Sequence, residues 1–151
     1  MRYLNTYKLF ESSSHIGADE VINYLYDIFL EAEHEGFNTL VEKLTSLYNW
    51  DNVYTVLIFK SGVPLAYSPK KSHRFKMKDV LETILTAESY MKSLGYKISL
   101  IETRELKEFR QQFQKQNGRT DVVEYDSSVL KSGRREQSRE TFTLKIEFVK
   151  E

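Results

Sequence analysis

Residues 141–149 read Thr141-Phe142-Thr143-Leu144-Lys145-Ile146-Glu147-Phe148-Val149. Phe142, Leu144, Ile146 and Phe148 alternate with Thr143, Lys145 and Glu147. A period of two buries one side of a strand and wets the other. The stretch therefore predicts a half-buried strand and, with it, a sheet that carries a core on one side. Working back along the chain, Val53–Lys60 reads VYTVLIFK, dense in β-branched and aromatic residues, as a strand in the sheet interior does. Ser61-Gly62 turns the chain tightly and Val63–Tyr67 returns as its partner, with Pro64 at a sheet edge and Pro69 ending the strand. Tyr96–Glu102 and Asp121–Tyr125 read as further strands.

Between the strands the apolar period changes to 3.6. Val21, Ile22, Leu25, Ile28, Phe29 and Ala32 form one stripe and predict a helix over Ala18–Glu35. Asp19 and Glu20 suit its N-terminal dipole, and Gly36 its left-handed stop. Val80, Leu81, Ile84, Leu85, Ala87, Tyr90, Met91 and Leu94 predict a second helix over Met77–Leu94, closed by Gly95. Glu105–Gln116 reads as a polar helix with Leu106, Phe109 and Phe113 as its seam. Phe37–Tyr48 fits two templates. Phe37, Leu40, Val41, Leu44, Leu47 and Tyr48 favour a helix, whereas Thr39, Val41 and Thr45 also suit a strand. The helical template matches more positions and is preferred. Asp126–Arg139, with Ser127, Ser128, Ser132, Gly133 and Ser138, reads as a mobile polar loop.

The elements give an α+β domain: an antiparallel or mixed sheet of about four strands with helices packed on one face. Tyr3, Leu4, Tyr7 and Phe10 fit either a short amphipathic helix or an edge strand. With a strand over residues 3–10 the order becomes a ferredoxin-like βαββαβ with insertions. Residues 12–17 form a polar linker, and 18–151 the single domain.

Composition narrows the classes. The 151 residues suit one domain, and 40% hydrophobic with 29% charged content argues against a disordered chain. No run of about eighteen apolar residues exists, so no membrane partner is expected. Zero Cys excludes disulfides, thiolate metal sites and a Cys nucleophile. The 22 basic residues cancel the 22 acidic ones, against bulk polyanion binding through global charge. The balance hides an asymmetry: residues 1–50 hold three basic and eight acidic side chains, so the remainder carries a compensating excess of bases.

The N-terminal segment Met1-Arg2-Tyr3-Leu4-Asn5-Thr6-Tyr7-Lys8-Leu9-Phe10-Glu11-Ser12 resembles the short leader on many proteins of T-even-type tailed bacteriophages and their relatives in aquatic metagenomes. There a capsid-targeting peptide directs proteins into the assembling head, and the head protease cuts after a Glu preceded two positions earlier by Leu or Ile. Leu9-Phe10-Glu11-Ser12 fits that pattern. The resemblance implies a leader over residues 1–11, processing at Glu11–Ser12, and a location in the host cytoplasm or the virion head. It covers a dozen residues and implies no activity. No secretion signal is read.

Chemistry-bearing patterns are few. Pro69–Lys78 carries Lys70, Lys71, His73, Arg74, Lys76 and Lys78 around Phe75; clustered cations beside an aromatic suit phosphate or nucleic acid. Lys131, Arg134, Arg135 and Arg139 form a second basic stretch, and if both lie at one end of the sheet they make one basic rim. The competing reading is two solvated connections. Tyr26, Tyr48 and Trp50 are candidate protein-interface aromatics. His34 near Glu31 is a weak metal pair, and Glu105-Leu106-Lys107 resembles a nuclease Glu-x-Lys except for its helical pattern. Gly-rich phosphate loops, nucleophile elbows and His-Glu-x-x-His are absent from the sequence, so no catalytic residue, metal or cofactor is assigned. The preferred function is a non-enzymatic phage accessory protein that binds a host or phage protein or self-assembles into a homo-oligomer. The alternatives are a nucleic-acid-binding accessory protein using loops 69–78 and 131–139, and a small metal-dependent nuclease or hydrolase.

Overall fold

The computed structural model describes residues 17–44, 53–60, 73–106 and 120–151. In chain order its elements are α1 (Ala18–Ile28), α2 (Leu30–His34), β1 (Phe37–Leu44), β2 (Val53–Lys60), β3 (Phe75–Lys76), a 3₁₀ turn (Met77–Val80), α3 (Leu81–Ser93), β4 (Tyr96–Leu106), β5 (Thr120–Tyr125), α4 (Val129–Ser132), α5 (Arg134–Gln137) and β6 (Glu140–Lys150). The strands form one six-stranded sheet in the order β1-β2-β6-β4-β5, every pair antiparallel, with short β3 paired to β6. The alternation that predicts β6 is correct, and its consequence is architectural. The last strand of the chain lies between two hairpins, β1-β2 and β4-β5, and joins them.

The fold is α+β with helices on one face. The sheet has six strands rather than about four, and the residues 3–10 needed for a ferredoxin-like order lie outside the described ones. So do residues 1–16 as leader and linker, and the expected strand Val63–Tyr67. Three expectations are corrected. Phe37–Leu44 is a strand, not the start of a helix. Glu105 and Leu106 extend β4 instead of opening a helix. Residues 126–139 are not one long loop but two four-residue helical turns.

Leu144, Ile146 and Phe148 are fully buried on the inner face of β6, with Val56 and Ile58 of β2 and Ile101 of β4. Leu25 and Phe29 from α1 and its end, and Ile84 and Met91 from α3, close over them. Each such side chain contributes about 1.5–3 kcal/mol by leaving water. Both long helical stretches reach the sheet by the same device. Gly36 and Gly95 sit at φ +97° and +86°, and their N–H groups donate to the carbonyls of Glu33 and Lys92. A left-handed residue there ends the helix and turns the chain into the next strand.

Candidate functional site

The outer face of the sheet is built by the same alternation that buries the inner one. Leu40, Glu42 and Leu44 of β1 point away from Val41, which is buried, and are exposed. The register carries one row across all five long strands: Leu40, Leu57, Lys145, Glu102 and Glu124. A neighbouring row runs Asn38, Phe59, Thr143, Arg104 and Val122. Among the described residues the large exposed apolar side chains are Leu40, Leu44 and Val122, and all three lie on this face. Thr55 and Thr143 are buried between taller neighbours and floor a depression of about 370 Å³ walled by Leu40, Leu44, Leu57, Lys145 and Arg104. The core-forming helical residues belong to the cluster on the opposite face, so no described helix covers this one. Its charges have both signs, and Lys145 faces Glu102 as a cross-strand pair.

The structure brings the two basic stretches together. β3 pairs with the start of β6, Phe75 opposite Thr141 and Lys76 opposite Glu140, and α5 touches the 3₁₀ turn. The result is a mixed rim. Arg74 donates to Glu140 at 3.1 Å and its guanidinium lies 5.7 Å from the centre of the Phe142 ring. Arg139 lies 3.5 Å from the Tyr125 hydroxyl and 3.9 Å from the Glu105 carboxylate. Asp79 accepts the Lys76 backbone N–H at 2.8 Å. Lys78, Lys131, Arg134 and Arg135 are exposed, and His73 is half-buried. Lys70 and Lys71 lie outside the described residues, as do Glu11, Ser12, Tyr48 and Trp50.

Tyr26 is tied into the fold. Its hydroxyl accepts the Val41 N–H at 3.0 Å, and Thr39 donates to Glu33 at 3.2 Å. Both bonds fasten α1 and α2 to β1, which is an edge strand among the described residues. A second polar cluster sits where β4 bulges between Arg104 and Glu105. Tyr125 donates to Glu105 at 2.9 Å and Thr103 donates to it at 3.3 Å. Burial, then the Glu105 bond, pushes the Tyr125 hydroxyl up, while Tyr125 first and Glu105 after it push Arg139 up. Glu105 therefore stands on a strand, but its carboxylate is held by Tyr125 and Thr103. Among the described residues no three His, Asp or Glu side chains gather as a metal site. Nor is any helix among them long and apolar enough to cross a membrane.

A tyrosine layer closes the other end of the core. Tyr54 and Tyr96 meet edge to face at 5.4 Å, and Tyr24 packs on Tyr90 at 5.6 Å. Burial, then Tyr96, raises the Tyr54 hydroxyl to about 12.

The open face is what sequence reasoning missed. Its signal was present: Leu40 and Leu44 are apolar positions that the inner face of a strand does not need. The chain matches no family model, no curated protein and no solved structure.

Proposed function

We propose that this chain is a non-enzymatic binding protein that self-assembles, two copies meeting through the open face of the sheet. The observation that carries the reading is a sheet face that no described helix covers, with exposed Leu40 and Leu44 beside its depression on β1 and exposed Val122 at the opposite edge on β5. Charge argues for a second copy as the occupant. Lys145 and Glu147 stand two residues apart on the central strand, on the same side. A two-fold axis crossing β6 between them sets each Lys145 against Glu147 of the second copy, the self-complementarity an isologous interface requires. The five long strands, at about 4.8 Å spacing and about 25 Å length, offer about 600 Å² per copy, so a pair buries about 1,200 Å², at the lower end of stable interfaces. Sedimentation equilibrium tests it: the full chain should dimerise in the micromolar range, and Leu40→Arg with Leu57→Arg should leave monomers. A monomeric wild type at 100 µM would refute it.

The resemblance of residues 1–12 to a phage leader supports a phage origin, with processing at Glu11–Ser12 as part of the same proposal. Co-expression with a cognate head protease should shorten the chain by eleven residues, and Glu11→Ala should block this. Nucleic-acid binding has one observation in its favour, the adjacency of the two basic stretches. The acids beside them weaken it. Phosphate contacts would make affinity for DNA or RNA fall steeply with salt, and Arg134→Ala with Arg135→Ala would flatten that slope.

A further inference from the structure

The helical side carries its own concavity, on the opposite side of the sheet from the open face. It runs between α1–α2 and the 3₁₀ turn leading into α3, with a volume of about 900 Å³. Ile28, Leu30 and Leu81 are half-buried along its floor, above buried Ala32 and Val80. Its lips are acidic: Asp27, Glu31 and Glu35 on one side, Asp79 and Glu82 on the other. Lys78 and His34 are the basic types among its described lining residues.

Two features distinguish this groove from an ordinary solvated helix surface. Glu31 in α2 and Glu35 just past its end stand one turn apart in line, and both are exposed. Like charges at that spacing repel, and a cation laid along the line relieves them. The apolar floor then runs beside this acidic lip instead of being covered by it, the arrangement that receives an amphipathic helix. The lining stretch from Tyr24 to Glu35 is about 18 Å long at 1.5 Å per residue, room for a partner helix of about three turns.

We infer that the groove between α1–α2 and α3 docks a cationic amphipathic helix of a partner protein, its apolar side on Ile28, Leu30 and Leu81 and its Lys or Arg side chains against Glu31, Glu35 and Glu82. This goes beyond self-assembly and does not depend on it. If dimerisation uses the open face of the sheet, both grooves of a dimer point outward and stay accessible.

The test uses the full chain and three synthetic sixteen-residue peptides, read by fluorescence anisotropy with NMR shift mapping. One peptide has Leu at helical core spacing with Lys elsewhere. The second exchanges Lys for Glu, and the third exchanges Leu for Ser. The Lys/Leu peptide should bind at least tenfold more tightly than either control, with shifts in 27–35 and 78–86. Glu31→Lys with Glu82→Lys should weaken it at least tenfold, and the milder Glu31→Gln with Glu82→Gln severalfold, with circular dichroism unchanged. Equal binding of the Lys/Leu and Lys/Ser peptides would overturn the inference, as would shifts confined to the open sheet face. Equal binding by the wild type and the folded Gln variant would do the same. Sedimentation of the Gln variant should still show the dimer, which separates failure here from failure of self-assembly.

Discussion

The two faces of the sheet are written by the same strands and have opposite chemistry. On the inner face of β6, Leu144, Ile146 and Phe148 are fully buried under helices. On the outer face Thr143, Lys145 and Glu147 alternate with them, and the flanking strands add Leu40, Leu44, Leu57 and Val122. The inner face holds the fold together by burial. The outer face carries exposed Leu40, Leu44 and Val122 among charges of both signs. If the proposed self-association uses the outer face, stability and association are separable by moving a single residue along one strand.

The sharpest way to break that comparison is to place a charge on each side. Ile146→Asp should abolish the folded state, because an unpaired carboxylate in the core costs several kcal/mol. Lys145→Asp, one residue away, should change stability by less than about 1 kcal/mol and act on association instead. Thermal unfolding monitored by circular dichroism distinguishes them, and equal losses would contradict the assignment of faces.

A smaller contrast separates the glycines. A Cβ at Gly133 would lie 2.4 Å from Val129 Cγ2 and 2.8 Å from the Val129 carbonyl oxygen, whereas at Gly36 it meets nothing within 4 Å. Gly36→Ala should cost about 1 kcal/mol, from its positive φ alone. Gly133→Ala should cost about 2 kcal/mol or more, because backbone has to move. Chemical denaturation of the two variants ranks them, and the reverse order would show that the α4–α5 turn is loosely held.

The tyrosine layer adds a pH signature to the covered side. Tyr54 has a folded pKa of about 12 against an ordinary 10, raised chiefly by burial. Its neutral form is favoured in the folded chain. The stability it contributes is fully present below pH 10 and is lost as pH rises through about 12. Denaturation midpoints should fall over that window, and less steeply in Tyr54→Phe. The smallest effect belongs to the exposed rim, where Arg74→Ala breaks the pair with Glu140 and should cost less than about 1 kcal/mol.

The legibility of the sequence follows the same division. β6, α1, α3 and most of β4 were readable because one buried side fixes one period, and β2 because it is an unbroken β-branched and aromatic run, buried on both sides over Val53–Val56. β1 was not. Phe37 and Val41 point inward while Leu40 and Leu44 point outward, and those four positions fall at i, i+3, i+4 and i+7. A strand apolar on both sides thus imitates a helix, and the leucines that cause the misreading are the exposed ones of the outer face. The α4–α5 turns escaped because four residues carry no period, and the contact of Gly133 with Val129 is invisible in composition. The basic stretches were legible as charge. Their pairing with Glu140 and Glu105 was not, since it depends on β3 and β6 meeting across the fold.

Self-association through the outer face is open to one direct measurement. The chain has no native Cys, so a single nitroxide label can be placed at Lys145→Cys or at Glu31→Cys. Sheets stacked face to face lie about 10 Å apart, so double electron–electron resonance on the first variant should give an intermolecular distance below about 25 Å. The second, on the helical side, should give a longer one. A dimer showing the short distance at position 31 and the long one at 145 would contradict the account, and so would the absence of any dimer.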